Sequence, residues 1–173
     1  RFESQGGVTT GKADWAWLQH AAASLSTHGR SAIVLDTGAV TRGSGSKSED
    51  REKKIRQWFV ERDWIEGVIL LPDNLFYNTT AAGIIVVLNR AKPADRRGTV
   101  ILVNASAEFQ KGRPKNFLPE AAIAKIAAAF HSGKDAERFA EAVKVEEIGG
   151  KNDFNLSPSR YIETAAATEH RDI

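Results

Sequence analysis

Apolar and polar positions along the chain alternate between two periods, and the switches between them predict its elements. ADWAWLQHAAASLS (13–26) places Trp15, Leu18, Ala22 and Leu25 at helical spacing. His28-Gly29 ends that run, glycine being the preferred residue just past a helix. SAIVLD (31–36), between Gly29 and Gly38, predicts a short buried strand. The loop TRGSGSKSED (41–50) closes in serine and acidic residues that suit a helix start. REKKIRQWFVERD then reads as a helix with Ile55, Trp58 and Phe59 inward.

GVILLP (67–72), AGIIVVLN (82–89) and TVILVNA (99–105) predict three more strands, with KPADRRG (92–98) as a turn. All four strands are apolar on both faces, which predicts a sheet covered on both sides. After AEFQKGRPKN, Pro119 opens a helix, EAAIAKIAAAFH, with Ile123, Ile126, Ala127 and Phe130 on one stripe. DAERFAEAVKV predicts a second amphipathic helix, and EEIGGKNDFNLSPSRYIE an aperiodic tail wrapping the surface.

This order predicts an α/β fold around a four-stranded mixed sheet. One right-handed crossover joins the first two strands. The later connections are too short for crossovers, so those strands run antiparallel. So small a sheet, with three or four helices, reads as the second half of a larger unit. The expected organisation is a flexible segment at 1–12, the sheet region at 13–110 and a helical C-terminal region with its tail at 111–173.

Composition adds mainly exclusions. The 173 residues are 42% hydrophobic and 27% charged, with net charge +2, so charge alone selects no partner. With no cysteine there is neither a disulfide framework nor a thiolate metal site, and a cytoplasmic setting is the default. The apolar runs are too short to span a bilayer. Methionine is absent even at the first position, as in a piece of a longer protein. Phosphate-loop, dinucleotide and serine-elbow spacings are missing, and the four histidines lack metal-ligand spacing. Basic residues cluster at Arg51/Lys53/Lys54/Arg56, Arg90/Lys92/Arg96/Arg97 and Lys111/Arg113/Lys115, each reading first as solvated surface.

One stretch departs from ordinary turn chemistry. In LLPDNLFYNTTAAGIIVVLNR (70–90), Phe76 and Tyr77 sit between two buried strands, where turns favour Gly, Asn, Asp and Pro. Either the rings pack as a plug at the strand end, or an aromatic face is held out for a flat ligand.

The series from ADWAWLQH through IRQWFVERDWIEGVILLPDNLFYNTTAAGIIVVLNR and GTVILVNASAEFQKGR to NDFNLSPSRYIE resembles a known family. It is similar to the C-terminal half of the catalytic domain of the modification (M) subunit of type I restriction–modification enzymes, N6-adenine DNA methyltransferases. The resemblance runs from about Ala13 to Glu163. It implies the distal half of a Rossmann-like domain that uses S-adenosyl-L-methionine, with antiparallel end strands and a helical C-terminal extension. The family's glycine-rich cofactor loop and Asn-Pro-Pro-aromatic tetrapeptide do not occur in this sequence, so the resemblance implies no catalytic residue here.

The same resemblance assigns accessory roles. Phe76, with Tyr77 beside it, would stack on a target adenine flipped from the duplex, while Asn74 and Thr79 shape the loop. Trp17 lies about 160° around the helix from Trp15, at a position that would line the cofactor's adenine; partial burial under a neighbouring loop is the alternative. Asp14 would cap or orient that helix start near the cofactor. Arg42 and Lys47 would meet DNA phosphates. Implied partners are DNA, a specificity (S) subunit, a restriction (R) subunit and a second M subunit. The competing reading is a non-catalytic assembly module docking the specificity subunit. A degenerate methyltransferase-like fold is a third.

Overall fold

The computed structural model describes residues 2, 5–7, 11–46 and 50–163. Its elements run α1 (Asp14–Ser24), β1 (Arg30–Asp36), α2 (Arg51–Glu61), β2 (Ile65–Leu70), β3 (Gly83–Asn89) and β4 (Thr99–Asn104). They continue through α3 (Glu120–Ser132), β5 (Ala140–Lys144), α4 (Val145–Gly150) and α5 (Pro158–Tyr161). The sheet has five strands in the order β1-β3-β2-β4-β5. β3 is antiparallel to both β1 and β2, β2 and β4 are parallel, and β5 is antiparallel to β4. β1, β2 and β4 therefore point the same way, and β3, which follows both β1 and β2 in sequence, lies between them.

Strands that are apolar on both faces need a core on each. One core joins Val68, Val86, Leu88, Val100 and Leu102 to Trp15 and Leu18 of α1, Ile55 and Phe59 of α2, and Ile148 of α4. The other sets Ile69, Val87, Ile101 and Val103 against Ile126 and Phe130 of α3. Gly67 admits this helix closely, since a Cβ there would lie 2.6 Å from Phe130 Cε2.

Three expectations need correcting. DAERFAEAVKV is not a helix: Ala140–Lys144 forms β5, pairing with β4 from Thr99↔Lys144 to Val103↔Ala140. Its helical spacing is outweighed by an unpaired β4 edge, whose backbone groups need partners. β1 is an edge strand whose exposure alternates, Val34 being 53% exposed, because α3 covers β2–β4 and leaves β1 bare on that face. Finally, 145–162 does not merely wrap the surface. It forms α4 and α5 and inserts Ile148, Leu156 and Ile162 into the first core.

The loops around that core converge on Arg56, which is fully buried. Its Nε donates to Phe154 O (2.6 Å), Nη1 to Ala39 O (3.1 Å), and Nη2 to Arg42 O and Ser44 Oγ (2.8 Å each). Burial lowers its pKa to about 10, so it stays charged at neutral pH. Asp153 and Phe154 both hold positive φ, a strained state for non-glycine residues. Lys53 Nζ (3.1 Å) and Gly45 N (2.7 Å) donate to the Asp153 carboxylate while Arg56 holds the next carbonyl.

Two predictions follow from this knot. Arg56→Leu strands three carbonyls and should cost about 3 kcal/mol or more in urea unfolding; a loss under ~0.5 kcal/mol, the range of ordinary surface changes, would refute its central role. The Asp153 carboxyl lies below its ordinary value, chiefly because Gly45 N–H donates to it, with Lys53 adding to the effect. A depressed carboxyl pKa contributes stability above the unfolded value of about 3.9 and loses it as pH falls through the folded value. The deficit of Asp153→Asn should therefore be present at neutral pH and shrink in strong acid; a pH-independent deficit in denaturant titrations would contradict the assignment.

Candidate functional site

In open α/β sheets, ligands bind outside the carboxyl ends of the parallel strands. Here that rim carries the turn after β1, the loop after β2 and the segment after β4. Asp36 ends β1 opposite Gly83 of β3, and Leu70 ends β2 opposite Ile84 and Asn104.

The turn after β1, a short 3-10 segment at Thr37–Val40, is pinned from two helices. Trp15 Nε1 of α1 donates to Ala39 O (2.7 Å), the same carbonyl that Arg56 of α2 reaches. Asp36 Oδ1 accepts from Gly38 N (2.7 Å) and closes the turn's start.

Arg42 then gathers three carboxylates. Its Nε and Nη2 donate to Glu52 of α2, Nη2 also donates to Asp14 of α1, and Nη1 reaches Asp36 (3.3 Å). The Glu52 hydrogen bond is the main cause of a guanidinium pKa raised above the ordinary arginine value, against the opposing effect of burial. A phosphate contact from Arg42 would have to compete with these anions, so its geometry is that of a brace. Asp14 likewise turns to Arg42, and the α1 N-cap, Ala13, makes no side-chain cap. Lys47 lies outside the described residues.

Trp17 stands one turn along α1 from Asp14 and is 61% exposed, its ring edge-on to His20 at 6.3 Å between centroids. It remains an uncommitted aromatic face on the helix that Arg42 ties to the rim.

The two aromatics of the loop after β2 separate cleanly. Phe76 is half-buried against the α3-side core, and its Cε2 lies only 2.7 Å from where a Cβ of Gly83 would be. Glycine at 83 is what lets the ring lie across the sheet rim. Tyr77 is 82% exposed. Packing and exposure are thus divided: Phe76 packs at the strand end, and Tyr77 stands in solvent.

The loop itself is shaped by Asn74 and Asn78, both at positive φ, and by Thr79 Oγ1 accepting from Ala81 N (3.1 Å). Lys115 Nζ ties its two ends, donating to Asn74 Oδ1 and Thr79 O at 2.9 Å each. Sequence reading missed Asp36, Glu52, Lys115 and Asn116 as parts of the rim. Charge at scattered positions gives no sign of which groups meet in space; the polar segment between two apolar runs was the one usable signal.

Gly83→Ala should overpack Phe76 and cost about 1–3 kcal/mol, whereas Tyr77→Ala should stay within ~0.5 kcal/mol. Urea unfolding of both variants checks the division, and equal losses would refute it.

Comparison with known proteins gives this arrangement a context. Residues 1–170 match the N-6 DNA Methylase family. The chain is 43% identical over 164 residues to the type I restriction enzyme MjaVII methylase subunit of Methanocaldococcus jannaschii, covering 93% of this chain and 27% of that protein. It is 32% identical over 174 residues to the MpnII methylase subunit of Mycoplasma pneumoniae, covering 100% of this chain and 30% of the relative. A solved type I restriction-modification methyltransferase subunit from Streptococcus thermophilus superposes with a TM-score of 0.81 at 34% identity, over 90% of this chain and 31% of that one. The chain thus spans under a third of these relatives' length, with the Rossmann-like open sheet expected of them. By sequence and by fold it belongs to the N-6 DNA methylase family.

Proposed function

We propose that this chain forms the target-base side of a DNA methyltransferase that transfers a methyl group from S-adenosyl-L-methionine to N6 of adenine. The observation that carries the reading is Tyr77, an exposed ring on a braced loop at the carboxyl rim of a family sheet. The adenine amino group is a weak nucleophile because its lone pair is delocalised into the ring. Methylation therefore requires the base to leave the stack and be held in a fixed pose. Stacking on an aromatic side chain contributes roughly 1–3 kcal/mol per base. In this reading Tyr77 supplies the face, Phe76 anchors the loop on Gly83, and Asn74 and Thr79 fix its shape.

The residues present suit the cofactor in part. Trp17 offers an open indole face to an adenine ring, while Asp14, committed to Arg42, acts through the helix start it anchors. When bound, the cofactor supplies the methyl on a sulfonium centre. Partners in this reading are DNA, a specificity subunit, a restriction subunit and a second methylase subunit. Among the described residues no helix is long and apolar enough to cross a membrane.

A second reading, docking of the specificity subunit, draws on an open apolar groove of about 520 Å³ between α3 and the uncovered face of β1, lined by Ile123, Ala127, Ile85 and Val87.

The test uses the full-length methylase with its specificity subunit and radiolabelled cofactor, reading N6-methyladenine in DNA. Tyr77→Ala should lower kcat/KM about 10-fold to 100-fold, the equivalent of one lost stack, with cofactor affinity unchanged. Trp17→Ala should weaken cofactor binding and leave DNA binding intact. Full activity in Tyr77→Ala would remove the ring from the site; loss of subunit association in an Ile123→Glu variant, with that groove charged, would favour docking instead.

A further inference from the structure

The segment after β4 contains a basic tongue, of which only Lys115 and Asn116 have a part in the rim described above. Gln110 and Phe117 pair across it, with Gln110 N donating to Phe117 O (3.0 Å) and Phe117 N to Gln110 O (3.1 Å). Between them, KGRPKN carries three cations and no carboxylate. The two arms run close: a Cβ on Gly112 would lie 2.3 Å from Lys115 O, so only glycine fits.

One arm is spent on the loop that presents Tyr77. Lys115 holds Asn74 and Thr79, Asn116 N donates to Asn74 O (2.9 Å), and Asn116 Nδ2 donates to Asp73 O (3.1 Å). The other arm is free. Lys111 and Arg113 are exposed, and among the described residues no acceptor or carboxylate engages either side chain. This contrasts with Arg42, Lys53, Lys92 and Arg96, whose charges are met within the chain.

We infer that the Gln110–Phe117 tongue is a DNA-backbone clamp coupled to the base-presenting loop. Lys111 and Arg113 take phosphodiester oxygens next to the target nucleotide, while Lys115 and Asn116 hold the Tyr77 loop at a fixed offset from them. The chemistry favours this partner. A flipped nucleotide remains joined to its neighbours by phosphates, so a ring that receives the base needs cations within a nucleotide's reach. A free lysine and arginine on a short, tightly closed tongue, hydrogen-bonded to the ring's own loop, meet that need. The inference rests on the adenine-methylation reading for the identity of the base, but its binding test does not depend on turnover.

The experiment compares the full-length methylase, assembled with its specificity subunit, with Lys111→Gln/Arg113→Gln and Lys115→Met variants. DNA affinity is followed by fluorescence anisotropy across a salt series, on a duplex bearing the motif found modified in host DNA. Each phosphate contact contributes about 0.9 to the slope of log K against log salt, so the double variant should flatten it by about 1.8 for each methylase subunit that engages DNA. Subunit association should not change. Lys115→Met should keep the wild-type slope, lower turnover about 10-fold, and weaken the fluorescence of 2-aminopurine placed at the target base.

An unchanged slope in the double variant overturns the clamp. So does a loss of subunit association, which would make the tongue a protein contact. A Lys115→Met slope as shallow as that of the double variant overturns the division between the arms. A wild-type complex that binds DNA with the full salt slope but methylates no adenine would sink the functional reading alone, leaving the clamp standing.

Discussion

A single buried guanidinium sets the geometry on which the rest of this domain depends. Arg56 is fully buried, yet its hydrogen-bond partners are three carbonyls and one hydroxyl rather than a carboxylate. Burying a charge costs several kcal/mol unless its donors are satisfied. The oxygens come from the turn after β1, the loop that follows it, and the strained Asp153–Phe154 corner. Arg56 therefore fixes the relative positions of segments about a hundred residues apart in sequence. Arg42 works one layer out: its carbonyl is held by Arg56, and its side chain joins α1, α2 and the end of β1. The two arginines brace the rim in series: Arg56 holds the Arg42 carbonyl, and Arg42 holds three carboxylates.

That division explains which parts were legible in the sequence. β2, β3 and β4 announced themselves as continuous apolar runs because each is buried on both faces. α1 and α2 showed through the spacing of Trp15, Leu18, Ile55 and Phe59. β5 did not, because AEAVK has no strong strand preference and becomes a strand only through the vacant edge of β4. Local spacing carries no information about a vacancy created elsewhere in the fold. The aromatic pair was visible as an anomaly, but not which ring packs and which is presented. That depended on Gly83, a residue whose absent side chain makes room for Phe76. Arg42 carries a related lesson: sequence displays a cation in a glycine-rich loop and hides the three carboxylates that fold around it.

In the proposed reading, function comes from separating anchoring from presentation within pairs of like residues. Phe76 anchors and Tyr77 is offered; Trp15 is buried and Trp17 exposed; Lys115 is tied down and Lys111 left free. In each pair the tethered partner holds the backbone that carries the exposed one, so less of it remains to be ordered on binding. Such preorganisation shifts the entropic cost of ligand capture from the binding step to folding.

The position of β3 has a topological consequence. It lies between β1 and β2 but is made after both, so direct β1–β2 pairing would close the space it needs. The two parallel strands therefore sit about two strand spacings apart, roughly 10 Å, and the Tyr77 loop turns the chain back to fill the gap. That loop is what lays β3 against β2 and offers its far edge to β1. The segment proposed to receive the base is also the turn on which β1's place in the sheet depends.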